Sequence, residues 1–367
     1  MRLPYRRIIT VPLYSFRRSP ILAACSLPAW AAVLLMALAG NAFAHGVTLK
    51  LRSTQPSASA LNQLFIGPWV QNITDASGGR INLLTAQAEQ SGEAVDLFQL
   101  AQDRAVDVVW LDQANAPDTF PRFSIFGSAL SGSASEGSSR ALWYWCDVND
   151  LAFREFKELR ILAASRHDAP LFHMREKPLA SLSDLKGLKI AVPNADGEDF
   201  LAALGASPVV MPAAEMGKAL GDAGVDGVLL TWSSLATHGL GDQVKVHVAA
   251  PPEAPWAYAE ISALLMNPDA YRSLADDLKN VIRENSGIDV SAWIGKVFDE
   301  TAAKEMQNAA NRGDTIGNLP GSDLAGWKQA ADAVIGKRIK ALDDRGLKGE
   351  RMVTKVRALI TEYDTAR

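Results

Sequence analysis

Residues 182–227 read LSDLKGLKIAVPNADGEDFLAALGASPVVMPAAEMGKALGDAGVDG, and this stretch decides the fold class. An amphipathic approach leads into a short apolar strand at 188–192, closed by the turn Pro193-Asn194. A helix-period segment follows, then a second apolar strand, then another helix. Short strands rich in Val, Ile or Leu, each followed by a helix, argue for a parallel sheet covered by helices.

Working outward, the N-terminus is set aside first. Arg2, Arg6, Arg7, Arg17 and Arg18 precede an apolar run at 27–38, and Ala42-Phe43-Ala44 supplies the small residues of a signal-peptidase site. Residues 1–44 therefore read as a cleaved secretory signal peptide. The apolar run falls short of the ~20 residues a permanent membrane anchor needs. Leu22-Ala23-Ala24-Cys25 has the look of a lipoprotein box, but its apolar core follows instead of preceding it. The whole chain carries 37 basic and 41 acidic side chains; without the five leader arginines 32 basic ones remain, a net of −9. An acidic exported chain without a basic stripe offers nothing to nucleic acid. Cys146 is then the single cysteine, so no intrachain disulfide is expected and the thiol reads as a small buried apolar group.

The preceding region continues the same alternation. Residues 47–53 (VTLKLRS) read as a strand; 59–76 carry Leu61, Leu64, Phe65, Trp69, Val70 and Ile73 at helical spacing; Ser77-Gly78-Gly79 stops that helix. Strands are expected at 80–84, 106–111, 160–164 and 261–266, and helices at 96–104, 269–286, 289–312, 322–344 and 349–364. Asn267-Pro268 reads as a helix cap.

Several stretches resemble the solute-binding proteins of TRAP transporters, the DctP-type family. They are DLKGLKI-VP, LGASPV-MP and the closing VDG, with Trp69, Ser77-Gly78-Gly79-Arg80-Ile81 and the spacing from Ala105-Val106-Asp107-Val108 to Thr119-Phe120-Pro121. The resemblance implies a two-lobed α/β periplasmic binding protein (Venus-flytrap) fold, each lobe a mainly parallel sheet flanked by helices. It places one lobe at 45–168 with 257–295 and the other at 169–256 with 296–367, with crossings near 165–170 and 255–260 and a long helix between lobes. It also implies two integral membrane partners, a small and a large TRAP subunit, and a periplasmic location. One departure matters: where the family has an arginine before Val-Pro that pairs with a substrate carboxylate, this chain has Ala191.

Chemistry points to binding. The five histidines show no zinc spacing, and there is no nucleophile elbow, P-loop or CxxC, so neither catalysis, metal nor cofactor is expected. In open α/β sheets ligands sit beyond the carboxyl ends of strands, against walls that are part apolar and part polar. Those ends supply Thr54, Gln55, Asp112, Gln113, His173, Asn194, Thr231, Trp232 and Trp256 as candidate ligand-binding residues. Asn194 matches the family's polar residue after the Val-Pro turn. Trp232 reads as an aromatic wall or a core tryptophan, His173 as a replacement cation or a core histidine, and Asp112 as a ligand contact or a helix cap. Arg52 and Arg175 are further candidates for the missing cation. The expected function is a periplasmic receptor that captures a small organic solute, organic acids included, and delivers it to membrane subunits. The alternatives are a receptor for an ATP-driven importer or sensor, which shares the fold, and a ligand-free scaffold. Losing the arginine shifts the expected solute away from simple carboxylates toward aromatic, hydroxylated or amide-like compounds, or moves the carboxylate onto another cation.

Overall fold

The computed structural model describes residues 46–87, 96–112, 119–128, 134–256 and 258–365. The signal-peptide reading of 1–44 and the candidate Gln113 lie outside the described residues. Strands β1 (Val47–Ser53), β2 (Ile81–Gln87), β3 (Val108–Asp112) and β4 (Arg160–Arg166) come from the first half of the chain. After them come β5 (Pro170–Met174), β6 (Lys189–Val192), β7 (Ser207–Val210), β8 (Gly227–Thr231), β9 (Val246–Ala249), β10 (Ile261–Met266) and β11 (Thr315–Asn318). They form a five-stranded sheet, β2-β1-β3-β10-β4, and a six-stranded sheet, β11-β9-β5-β8-β6-β7.

Both sheets are mixed and mainly parallel, as expected, with one reversed strand in each. β10 runs antiparallel to β3 and β4, and β5 runs antiparallel to β8 and β9. The remaining pairs are parallel. These two strands are the ones that follow a helix-free link from the other sheet. Three residues connect the end of β4 to β5, so β5 enters its sheet beside the carboxyl ends of the forward strands and must run away from them. β10 arrives from β9 and is reversed for the same reason. The carboxyl ends of the forward strands in both sheets therefore lie at the crossings, where a ligand site in an open α/β sheet belongs.

The helices follow the sequence signals with two exceptions. The segment 62–66 is a π-turn, in which Gly67 N–H reaches Asn62 O, before the regular helix Gly67–Ala76. Pro68 has no N–H to continue an α-helical ladder at that point. The stretch read as one helix at 269–286 is two, Pro268–Arg272 and Asp276–Glu284, because Ala275 is extended and Leu274 turns into the core. Asn267 caps the first of them, its side chain accepting from Asp269 and Ala270 N–H at 2.8 and 3.0 Å.

The helix Ile288–Arg312 links two cores. Ile294, Val297 and Phe298 belong to a cluster with Leu49, Leu51, Val108 and Trp110 of the first sheet, whereas Ala309 packs with Val228 and Leu230 of the second. A third and larger cluster joins both sheets through the helices Leu324–Asp344 and Gly349–Thr365. Cys146 is buried within it, and burial pushes its thiol pKa well up, as an inert apolar packing group requires.

Candidate functional site

At the crossing, side chains from both sheets converge on one imidazole. β1 ends at Ser53 and β3 at Asp112, and the turn after β1 brings Thr54 and Gln55 against the Asp112 carboxylate. Gln55 Nε2 donates to Oδ2 at 3.1 Å and Thr54 Oγ1 at 3.4 Å, while Trp110 Nε1 donates to Oδ1 at 2.8 Å. His167, in the link after β4, places Nε2 at 3.9 Å from Asp112 and Nδ1 at 3.2 Å from Glu260 Oε2. Ser262 Oγ, in β10, sits 3.0 Å from Nε2 and in turn 3.1 Å from Ser165 Oγ. Phe298 stacks on the imidazole, with centroids 4.0 Å apart at 25°.

The second sheet reaches the same cluster through the helix Trp232–Thr237, which follows β8. Ser234 Oγ donates to Glu260 Oε2 at 3.2 Å, a contact between a helix of one sheet and the mouth of a strand of the other. Beside it the Ser233 hydroxyl donates to Asp168, and Ser233 N–H lies 3.3 Å from the same carboxylate. Thr231 Oγ1 caps the helix by accepting from Ser234 N–H at 2.9 Å and lies 3.0 Å from Ser233 Oγ.

Electrostatics sort these groups. Burial alone would depress His167, but the hydrogen bond and charge of Glu260, with Asp112 and Asp168, hold its pKa above the ordinary value. Burial would raise Glu260, yet His167 and Ser234 bring it below the usual range. Glu260 and His167 thus form an ion pair with the imidazole buried and the carboxylate half-buried. Asp112 is raised, since burial outweighs His167 and the Trp110 and Gln55 donors. Burial lifts Asp168 to about 6 against the Ser233 hydrogen bond. His238, at the end of the same short helix, is lowered by burial, opposed by the charges of Glu260 and Asp112.

Of the candidates named from the sequence, Thr54, Gln55 and Asp112 meet in this cluster, and Thr231 touches its Asp168–Ser233 limb through the Ser233 hydroxyl. Asn194 lies at the carboxyl end of β6, where its side chain caps the helix Ala195–Ala203 by accepting from Gly197 N–H at 2.9 Å. Three others point elsewhere. His173 is wholly buried, its Nδ1 2.7 Å from His247 Nδ1. Trp232 folds back over that pair, 4.8 Å from His173 and 4.5 Å from His247. Trp256 packs at 4.8 Å against Trp327 and at 6.3 Å from Phe200. Arg175 continues β5 through a backbone bond to Asp226 O. The residues passed over were His167, Asp168, Glu260, Ser233, Ser234 and His238. One signal could have found them: both sheet crossings lie, by topology, at the carboxyl edges.

The chain matches the bacterial extracellular solute-binding proteins of family 7, the DctP family, over residues 53–341. It belongs to this family. Solved members of the family superpose on most of it. A TRAP solute-binding protein from Rhodoferax ferrireducens, in complex with copurified benzoate, is 30% identical with a TM-score of 0.81, covering 87% of this chain and 99% of that one. A marine metagenome TRAP solute-binding protein specific for aromatic acid ligands, in complex with 3-hydroxybenzoate, gives the same identity, TM-score and coverage. One from Bordetella bronchiseptica, with bound mandelate, is 24% identical with a TM-score of 0.76, covering 87% of this chain and 100% of that one, and it shares the fold. As a DctP-family protein the chain is a TRAP-type solute-binding receptor for a small organic solute, and the family consists of receptors, not enzymes.

Proposed function

We propose that this protein is the periplasmic receptor of a TRAP transporter and that its solute is a small aromatic carboxylate. The observation that carries the solute class is the 30% identity, over 87% of the chain, to two receptors holding benzoate and 3-hydroxybenzoate. The leader read from residues 1–44 supports the periplasm, and among the described residues no helix is long and apolar enough to cross a membrane. The delivery partners are the small and large integral TRAP subunits.

In this reading the lobes are 45–168 with 257–295 and 169–256 with 296–367, and the solute sits between the strand mouths. Thr54, Gln55, Asp112, Asn194 and Thr231 line its surroundings. Ala191 stands where the family has its arginine, so the carboxylate is met by another group. Arg52, half-buried at the penultimate position of β1, is our candidate. Trp232, His173 and Trp256 act one layer back, as the packing on which the mouth rests.

A thermal-shift panel of benzoate, hydroxybenzoates, C4-dicarboxylates, amines and sugars tests the reading. The aromatic acids are expected to stabilise by roughly 2.7 kcal/mol when present at 100 times their dissociation constant. A response confined to sugars, amines or C4-dicarboxylates would overturn it.

A further inference from the structure

We infer that Glu260 is a specificity-determining residue of the solute site, which selects an aromatic acid bearing a ring hydroxyl over the unsubstituted acid. The inference rests on the aromatic-acid reading above.

Geometry comes first. Glu260 immediately precedes β10, and Ser262, two residues on, pairs with Asp112, so the carboxylate stands at the mouth of the first sheet. Ser234 reaches it from the mouth of the second. A solute held between the two mouths therefore meets Glu260 at the point where both sheets contribute. Both contacts fall on one oxygen: His167 Nδ1 and Ser234 Oγ approach Oε2. Among the described residues no donor reaches Oε1, and the half-buried side chain keeps 18% of its surface exposed. Stacked on Phe298 and flanked by Ser262, His167 is fixed, and it fixes the carboxylate in turn. An acceptor pre-positioned in this way discriminates strongly, because a ligand without the donor leaves a buried charge short of a hydrogen bond.

Charge then orients the solute. Asp112 and Glu260 flank a single imidazole, so the trio carries one excess negative charge when all three groups are ionised. The carboxylate of the solute is repelled from this corner and its neutral, donating end is drawn in. A phenolic hydroxyl on the ring donates to Oε1 without bringing a second anion. Asp112, which already accepts from Trp110, Gln55 and Thr54, is occupied and leaves the role to Glu260.

Isothermal titration of the wild type with benzoate and with 2-, 3- and 4-hydroxybenzoate is the test. One hydroxy isomer is expected to bind roughly ten to a hundred times tighter than benzoate, the range of one hydrogen bond to a charged group. Glu260→Gln is expected to narrow that ratio to within about threefold. Binding of benzoate and all three isomers with equal affinity would overturn the inference and leave the aromatic-acid reading intact. Binding of none of the four would remove the reading itself. A Glu260→Gln variant that weakens every ligand by one common factor would show a structural role only, and would also overturn the inference. Equal wild-type affinities overturn the inference even if the variant fails to fold, and in that case Glu260→Asp, which keeps the charge and shortens the reach, is expected to narrow the ratio in its place.

Discussion

His173 and His247 face each other Nδ1 to Nδ1, so one ring donates and the other accepts. Burial lowers His173 well below its ordinary value, with His247 adding to the effect, and burial lowers His247 against the pull of Asp314. The folded state thus resists protonation that the unfolded chain accepts near pH 6.5. Over that range the unfolded state binds more protons, and stability falls as the pH drops below about 6.5. Asp168, lifted to about 6, acts in the opposite sense: the folded state holds its proton more tightly, which offsets part of the loss between about pH 6 and 4. His167 contributes at the other end, its stabilisation being lost as the pH rises through its raised value. Denaturant titrations at pH 7 and 5.5 are expected to show a net loss of about 1–2 kcal/mol for the wild type and a smaller loss for His173→Gln. Equal losses in the two proteins would exclude the histidine pair as the cause.

How far such residues could be read beforehand depended on direction. Alternation along 171, 173 and 175 correctly places Leu171 and His173 on one face, but alternation does not say which face meets the cleft. That is settled by register across four strands, which aligns Ala191, Val228, His173 and His247 in one row. Trp232 covers the imidazole end of that row. Ala309, on the helix Ile288–Arg312, joins the apolar cluster around that row from a remote part of the chain, and no local pattern encodes it.

Among the elements, the contact between helices Ser135–Val148 and Ile288–Arg312 explains a glycine that local reading would count as a weakness. A Cβ on Gly295 would lie 2.4 Å from Ser135 O and 2.7 Å from Ser139 Oγ. Asp299, one turn on, takes the freed amides of Ser135 and Glu136 at 2.9 and 3.1 Å. The two helices are therefore held together at a backbone-to-backbone approach. Helix propensity alone would make Gly295→Ala stabilising by about 1 kcal/mol. Steric overlap with a backbone carbonyl reverses the sign, and a loss of about 1–3 kcal/mol is expected in urea unfolding. A gain would show that the helices can separate at little cost. Most strands and the long helices were legible because their apolar periods are strong: 261–266 and 349–364 fall almost on the observed bounds, whereas the four-residue strands β9 and β11 were not read. The reversed direction of β5 and β10 was not, since an apolar run reads the same from either end.

On the scale of the whole molecule, the crossings do two things at once. By reversing β5 and β10 they bring the carboxyl ends of both sheets to the same place, and they deliver His167, Asp168 and Glu260 to it. The helix Ile288–Arg312 ties the two cores together, and the cluster around Phe200, Trp256 and Trp327 continues into the C-terminal helices. Ser234–Glu260 is the kind of contact a hinge motion would make or break, and a ligand can bias such a motion only by binding one state better than the other. The two-lobed α/β class could be read from strand–helix alternation together with family wording. The crossings could be placed near 165–170 and 255–260, but not which of their side chains meet, because those contacts form only when two distant links are brought side by side. A crystal structure of the protein with 3-hydroxybenzoate tests the central claim most directly. The account predicts the ring between the carboxyl ends of the two sheets, with its hydroxyl on Glu260 and its carboxylate turned away from Asp112. A ligand bound elsewhere on the surface, or strand mouths packed shut against each other with no room for it, would contradict the account.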